Sequence, residues 1–355
     1  MLSPAIAGCL SGTACAVHED RLCSQYLEGQ VETGAANVLA DSGRGSSVGD
    51  RSFSVRVPAS TANLGAGFDC IGLALKLYLT VSVRIVPEAS DAYRLRIRGE
   101  VAEGLPSEAK NLIIRSLRFT AEREGLSLPP LELDVNNELP LARGLGSSAT
   151  AIVAGITLAS LVCDRQLSSE TFLRYAVELE GHADNVAAAY LGGLVVTCIK
   201  PDGSVLAVKR LWPSELKVVV VSPEAFLKTA ETRTVLPSGV QREDAVFNLQ
   251  RVALFGAALE AGAYDLLWDA MQDRLHQAHR QRLVPGLPEA LATPPQPGLL
   301  GIALSGSGPS VVALARDRLG EIGEAIAENF RRRNVLATVR VLEVDYEGCA
   351  VTALA

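Results

Sequence analysis

The residues with the clearest chemical potential form a glycine- and serine-rich run before the middle of the chain. It reads Pro140-Leu141-Ala142-Arg143-Gly144-Leu145-Gly146-Ser147-Ser148-Ala149-Thr150. Glycines let the backbone approach an anion closely, and the serines stand where a helix is predicted to begin. The free amides and partial positive charge of a helix N-terminus favour phosphate. The run therefore predicts a phosphate site, although taken alone it is also compatible with an ordinary helix start. It is neither a Walker loop nor a dinucleotide motif.

Two further glycine-rich segments stand at the ends of predicted strands. Residues 59–69 read Ala-Ser-Thr-Ala-Asn-Leu-Gly-Ala-Gly-Phe-Asp, and residues 305–310 read Ser-Gly-Ser-Gly-Pro-Ser between two apolar strands. Loops that leave a strand end are common ligand positions. Read alone, the second segment predicts a tight hairpin.

The elements that must position these loops follow from hydrophobic periodicity. Predicted strands cover 53–57 (closed by Pro58), 77–85, 94–98, 131–135, 194–199, 216–221, 299–304, 310–315 and 335–344. Predicted helices cover 111–124, 147–162, 168–180, 184–190, 239–262, 264–276 and 318–333. Strands and helices interleave in both halves, which favours two α+β layers that meet near residue 212. We therefore expect a flexible extension over 1–50, an N-terminal domain over 51–212 and a C-terminal domain over 213–355.

Composition excludes several classes of protein. The chain has 355 residues, 48% of them hydrophobic and 21% charged, which is typical of a globular protein. A net charge of −7 argues against binding to nucleic acid or to anionic membranes. Seven cysteines without a C-x-x-C pair disfavour a disulfide framework or a zinc site. We expect a soluble cytoplasmic enzyme; a lipoprotein-like or secretory start around Cys9, or an organellar transit peptide, are the alternatives.

Together the three glycine-rich segments resemble the three motifs of the GHMP small-molecule kinases. Residues 140–150 are similar to the family's P-x-x-x-G-L-G-S-S-A signature, residues 57–69 to its N-terminal motif and residues 304–310 to its C-terminal motif. The stretches 180–186, 232–237 and 276–286 resemble the homoserine kinase branch. Members more often have Pro-Tyr where this chain has Ala278-His279, and often Pro at Ala183. The resemblance covers about residues 52–355.

The resemblance implies an α+β, two-domain GHMP kinase fold. Its N-terminal domain would be similar to ribosomal protein S5 domain 2, and its C-terminal domain would be ferredoxin-like. The implied activity is phosphorylation of the hydroxyl of L-homoserine by ATP, with Mg²⁺, in threonine biosynthesis. The alternatives are another kinase of the superfamily (mevalonate- or shikimate-type) and a non-catalytic relative that binds an amino acid. A homodimer is one option, and we expect neither nucleic acid nor membrane as a partner.

The same resemblance assigns roles to particular side chains. The nucleotide phosphates would lie on residues 140–150 and on the C-terminal loop at Ser305, Gly306, Ser307 and Gly308. Planar guanidinium groups suit a carboxylate, and the predicted pair is Arg233 and Arg280. The remaining substrate-binding residues would be Asn63, Asp69 and His182.

Magnesium and the reacting hydroxyl complete the predicted site. Ser148 and a glutamate would hold the ion, and we prefer Glu178 to Glu180, which lies about 200° away around the helix so that only one can face the metal. Asn185 would orient the hydroxyl. Asp184 is the obvious carboxylate for a general base, but we expect it to be mainly structural because proton removal can lag in a loose transition state.

Overall fold

The computed structural model describes residues 51–86, 93–100 and 111–354, apart from 226 and 228, and only the backbone of 229–231. The predicted extension over 1–50 lies outside the described residues. The strands are β1 (Ser52–Asn63), β2 (Gly67–Ile85), β3 (Tyr93–Gly99), β4 (Leu131–Asn137), β5 (Leu194–Ile199), β6 (Val205–Arg210), β7 (Lys217–Pro223), β8 (Leu299–Leu304), β9 (Val311–Ala315), β10 (Ala337–Leu342) and β11 (Ala350–Leu354).

The helices lie between groups of these strands. They are α1 (Leu112–Glu124), α2 (Ser147–Val162), α3 (Ser169–Glu180), α4 (Asp184–Leu191), α5 (Thr229–Thr234), α6 (Arg242–Ala261), α7 (Leu267–Ala270), α8 (Gln277–Arg280), α9 (Leu287–Leu291) and α10 (Leu319–Arg331), with 3₁₀ turns at Tyr264–Leu266 and Gln281–Leu283. Among the described residues, none of these helices is long and apolar enough to span a bilayer.

Local sequence explains several helix ends. The side chain of Asn111 accepts a hydrogen bond from the Ile113 amide at the start of α1, and Gly125 ends that helix in the left-handed conformation. Ser168 caps α3 in the same way. Helix α2 is apolar on almost every side and is buried against β1, α1 and α3. Its N-terminus is thereby held at a fixed place beside the first sheet.

The strands form two sheets. In the first the order is β11-β1-β2-β4-β3, with β5 pairing with β2 and β6 with β5, and only β3 and β4 run parallel. In the second the order is β10-β7-β9-β8, all antiparallel. Side chains alternate across a strand, so β7 supplies Val218 and Val220 to the core under the first sheet. Its Val219 and Val221 join a second core with Ile322 and Ile326 of α10.

Two expectations about the elements are corrected. Pro58 does not end β1, because it lies beyond the part of β1 that pairs with β11, at a register shift against β2 where a missing N–H is tolerated. The helix over 264–276 breaks after Ala270, because the Asp273 carboxylate accepts hydrogen bonds from the amides of residues 275–277. Strand β11, which pairs with β1, lies beyond the last predicted strand.

Candidate active site

One pocket collects most of the residues that the sequence singled out. It lies among the start of α2, the turn before α4, the loop after β8, and helices α5 and α8. Its lining residues are Asn63, Asp69, Ala142, Arg143, Gly144, Gly146, Ser147, Ser148, Glu180, His182, Asp184, Asn185, Arg233, Arg280, Gly306 and Ser307. Glu180 was the alternative to Glu178, and all the others were expected at the site, so the structure brings the phosphate loop and the substrate residues together.

The loop before α2 can exist only with glycine at two positions. Gly144 and Gly146 have φ values of 76° and 70°, which L side chains rarely adopt. A Cβ on Gly144 would overlap the Ser305 carbonyl oxygen, and one on Gly146 would overlap Ser60 Oγ. The Ser305 hydroxyl also donates to the Gly144 carbonyl at 2.7 Å. The two glycine loops are therefore packed backbone to backbone, beside the pocket that Gly146, Ser147 and Ser148 line at the head of α2.

The other residues of these loops support the pocket from outside. Leu145 and Ala149 are fully buried, the Pro140 carbonyl accepts a hydrogen bond from Ser147 Oγ, and the Gly308 amide closes the C-terminal loop onto Ser305. A second, apolar pocket adjoins the first and shares Ser147 and Ser148 with it. Its other lining residues are Leu79, Ile97, Asn111, Leu112, Ile113, Val135, Asn137, Leu141, Thr150 and Ala151.

The structure corrects the preference for Glu178 near Ser148. Glu178 is half-exposed and forms an ion pair with Arg123, outside the pocket. Glu180 is buried and accepts a hydrogen bond from Ser148 Oγ at 2.6 Å. Burial raises the pKa of Glu180, while the charge of His182 and the Ser148 hydrogen bond oppose that change. The reason lies in the helix period: residue 180 follows the buried Leu173 and Ala176 on one face of α3.

A buried hydrogen-bonded group surrounds Asp184. Its Oδ1 accepts hydrogen bonds from His182 Nδ1 at 2.6 Å and from the Asn185 amide at 2.7 Å. Burial disfavours the imidazolium, but the hydrogen bond and charge of Asp184, with the charge of Glu180, outweigh it and raise the pKa of His182. Asn185 Oδ1 accepts from Ser60 Oγ at 2.9 Å. Asp184 thus fixes its neighbours, and its Oδ1 is already occupied.

Both predicted arginines line the same pocket, but their guanidinium groups have different partners. Arg233 donates two hydrogen bonds to Asp69, at 2.9 and 3.1 Å, and both side chains are half-buried. Arg280 is only 2% exposed, and among the described residues no carboxylate lies within ion-pair distance of it. Burial, followed by the nearby Arg233 charge, lowers the pKa of Arg280 to about 10. Asn63 accepts from the Asp69 amide and donates to the Gly306 carbonyl.

Comparisons with known proteins give matches over most of the chain. Residues 111–193 match the model of the GHMP kinases N terminal domain, and residues 248–332 match that of the GHMP kinases C terminal domain. The chain is 40% identical over 298 residues to the homoserine kinase of Desulfitobacterium hafniense, covering 84% of this chain and 99% of that one. It belongs to the homoserine kinase family. The Aquifex aeolicus homoserine kinase is 42% identical over 298 residues, 84% of this chain and 98% of the relative.

A solved structure of the same family has the same fold. The crystal structure of homoserine kinase from Cytophaga hutchinsonii superposes with a TM-score of 0.75 at 28% identity, covering 87% of this chain and 99% of that chain. The predicted GHMP kinase fold is therefore confirmed. The domain boundaries drawn from the sequence remain predictions.

Sequence reasoning missed three side chains that this member of the homoserine kinase family places at or behind the pocket. Ser60 holds Asn185, and Phe68 lies under the guanidinium groups of both arginines. His276 is fully buried beside Arg280. Ser60 and Phe68 belong to the first glycine-rich segment, so their motif was found. No pattern in the sequence indicated that His276 turns inward.

Proposed function

We propose that this chain transfers the γ-phosphoryl group of ATP to the side-chain hydroxyl of L-homoserine, giving O-phospho-L-homoserine for threonine biosynthesis. The observation that carries the proposal is a single pocket that is lined both by residues at the head of α2 and by Arg233 and Arg280. An anion-binding helix terminus and guanidinium forks a short distance apart suit a nucleotide and an amino-acid carboxylate. The relatives compared above are named homoserine kinases.

The two adjoining pockets suit the two ends of ATP. The apolar pocket offers a surface for the purine base, and the shared Ser147 and Ser148 lie where the phosphates would pass towards the substrate. We propose that the triphosphate lies on the amides of the loop before α2. Arg143 lines the phosphate side of the main pocket. Among the described residues it has no carboxylate within ion-pair distance, so its charge is free to face the phosphates.

The charges of the main pocket match those of a zwitterion. We propose that the substrate carboxylate approaches Arg280 and Arg233, and that its ammonium group approaches Asp69. His182 and Asn185 then bound the space in which the hydroxyl would lie. Because transfer through a loose transition state depends mostly on positioning and charge, the fixed array of hydrogen bonds is the protein's main contribution.

The residues around Ser148 fit a magnesium ion. Mg²⁺ prefers oxygen ligands and usually takes one or two protein groups plus phosphates and waters. A buried carboxylate and a hydroxyl 2.6 Å apart, next to the phosphate loop, are such a donor set. We propose that Glu180 and Ser148 hold the ion. When bound, the ion would neutralise negative charge on the phosphates during the transfer.

Asp184 is proposed as a positioning residue rather than the base. It is 1% exposed, and its Oδ1 is engaged by His182 and by the Asn185 backbone. Its bond to the backbone amide fixes the position of Asn185, whose side chain we propose orients the hydroxyl towards the γ-phosphate. We also propose a cytoplasmic location, and a measurement of mass in solution would decide between monomer and homodimer.

A coupled assay of ADP release tests the proposal. L-Homoserine, mevalonate, shikimate and galactose are supplied in turn with Mg²⁺ and ATP, and the phosphorylated product is identified by mass spectrometry. We expect turnover with L-homoserine at a kcat/KM at least about 100-fold above the other three, because a site built around buried polar groups rejects substrates that leave them unpaired. Turnover of another acceptor without turnover of homoserine would overturn the assignment.

A further inference from the structure

The side of Arg280 that faces away from solvent contacts a buried histidine. His276 Nε2 lies 3.0 Å from the Gly65 carbonyl oxygen, and its Nδ1 lies 3.2 Å from Arg280 Nη1. A carbonyl only accepts a hydrogen bond and a guanidinium only donates one. The ring must therefore carry its hydrogen on Nε2 and offer a lone pair at Nδ1. Burial lowers the pKa of His276, the Arg280 charge acts in the same direction, and Asp273 opposes them.

Both the backbone and the ring of His276 are fixed. The fully buried Asp273 carboxylate accepts from the His276 amide at 2.9 Å and from the Asn248 side chain at 2.8 Å. The imidazole stacks on Phe68 with ring centroids 5.0 Å apart and planes 18° from parallel. Since the ring cannot turn without losing these contacts, Nδ1 is held in one position beside Arg280.

Every partner that the structure gives Arg280 is neutral. Its Nε donates to the Thr232 carbonyl at 3.3 Å, its Nη1 donates to the Gly306 carbonyl at 3.3 Å and to His276 Nδ1, and Phe68 lies 5.2 Å below the guanidinium. A carboxylate in the position of His276 would orient the guanidinium but would also neutralise it. A neutral acceptor orients it and leaves its full charge for a substrate anion.

We propose that His276 is a positioning residue, which acts as a hydrogen-bond acceptor through Nδ1 and sets the Arg280 guanidinium for the carboxylate of the substrate. The inference rests on the proposed function and adds to it a residue that contacts no substrate. It predicts that loss of the acceptor weakens recognition of the substrate carboxylate. Recognition of the rest of the substrate and of the nucleotide should be unaffected.

Two polar variants of similar size separate the acceptor from the donor. In His276→Asn the side-chain oxygen can take the place of Nδ1, whereas in His276→Gln the amide reaches the Gly65 carbonyl but the acceptor towards Arg280 is lost. L-Homoserine is compared with 3-aminopropan-1-ol, which lacks the carboxylate. The analogue is measured by turnover, or as a competitive inhibitor if turnover is absent. His279→Gln, one turn further along, is the matched control.

A hydrogen bond to a charged group predicts a rise of about tenfold or more in the KM for L-homoserine in His276→Gln. The KM for ATP and the constants for the analogue should stay within about twofold. His276→Asn should recover most of the loss, and His279→Gln should match the unsubstituted protein. Equal loss for both substrates, no change in either variant, or failure of Asn to recover the loss would overturn the inference. If the unsubstituted protein turns over homoserine normally, any such outcome leaves the proposed function standing; absence of that turnover would remove both.

Discussion

Exchanging each of two glutamates on α3 for glutamine separates the proposed magnesium ligand from a surface residue. Glu180→Gln keeps the shape of the side chain and an oxygen that can accept the Ser148 hydroxyl, but it removes the charge. Glu178→Gln removes the same charge two residues away, where the carboxylate pairs with Arg123 at the surface. The two variants therefore have identical chemistry and differ only in which face of the helix they alter.

The expected magnitudes differ widely. Loss of a group that merely supports a metal ligand costs about 10- to 100-fold in affinity or activity, so removal of a direct ligand should cost at least about 100-fold in kcat/KM. This corresponds to about 2.7 kcal/mol of transition-state stabilisation. An exposed ion pair contributes about 0–1 kcal/mol to stability. Glu178→Gln should therefore leave the activity unchanged to within about twofold.

In the absence of nucleotide, the Glu180→Gln substitution should not lower the thermal stability of the protein. Burial raises the pKa of Glu180 in the folded protein. The folded protein therefore favours the protonated carboxyl, and it loses stability as the pH rises through the folded-state pKa of Glu180. At a pH well above that pKa, glutamine removes this cost, and Glu180→Gln should melt at the same temperature or higher than the unsubstituted protein. The assays are ADP release across a Mg²⁺ titration and thermal denaturation with and without Mg²⁺-ATP. A fully active Glu180→Gln, or an inactive but folded Glu178→Gln, would refute the reasoning.

Three further predictions concern the same pocket. Asp184→Asn should lose less than about tenfold in kcat, whereas a loss near 10⁴-fold would identify a general base. Because the pKa of His182 is raised, its contribution to stability is present below the unfolded pKa of 6.5 and is lost as the pH rises through the folded value. The melting-temperature advantage over His182→Gln should therefore shrink as the pH rises above about 6.5. Gly144→Ala should cost at least about 1–3 kcal/mol in denaturant unfolding and weaken ATP binding. The control Gly256→Ala, inside α6 with open space around the Cβ position, should stabilise by about 0.5–1 kcal/mol.

The sequence predicted most of the first half of the fold because its local signals agree with its tertiary packing. Helix α2 was found with its observed ends, since an apolar run of that length beside Gly146 and Ser147 allows few other structures. Strand β6 was missed, because its solvent-facing Leu206 and Val208 blur the alternation on which prediction depends. Helix α8 could not be foreseen either: it begins where a buried carboxylate, Asp273, reorganises three backbone amides.

For the site as well, local motifs could be predicted from the sequence, whereas contacts between distant residues could not. The three glycine-rich motifs predicted the part of the pocket that they line, because each motif sits at a strand end or a helix start. The residues on the stretches 180–186, 232–237 and 276–286 were predicted from the family resemblance. The choice between Glu178 and Glu180 needed the buried face of α3, and the stripe through Leu173 and Ala176 was a signal that pointed to residue 180. The inward turn of His276 depends on contacts with Gly65 and Phe68, far away in sequence, and no local pattern carries that information.

The contrast between the two arginines explains how one pocket could distinguish the two charged ends of a zwitterion. Arg233 is already paired with Asp69, so together they present a positive and a negative edge with little net charge. Among the described residues Arg280 has only neutral partners, and it brings an uncompensated positive charge to the same pocket. A zwitterion gains most when its carboxylate faces Arg280 and its ammonium faces Asp69. The reversed orientation would place like charges together, which costs several kcal/mol in such interfaces. The hydroxyl would then extend towards Asn185 and the phosphate loop.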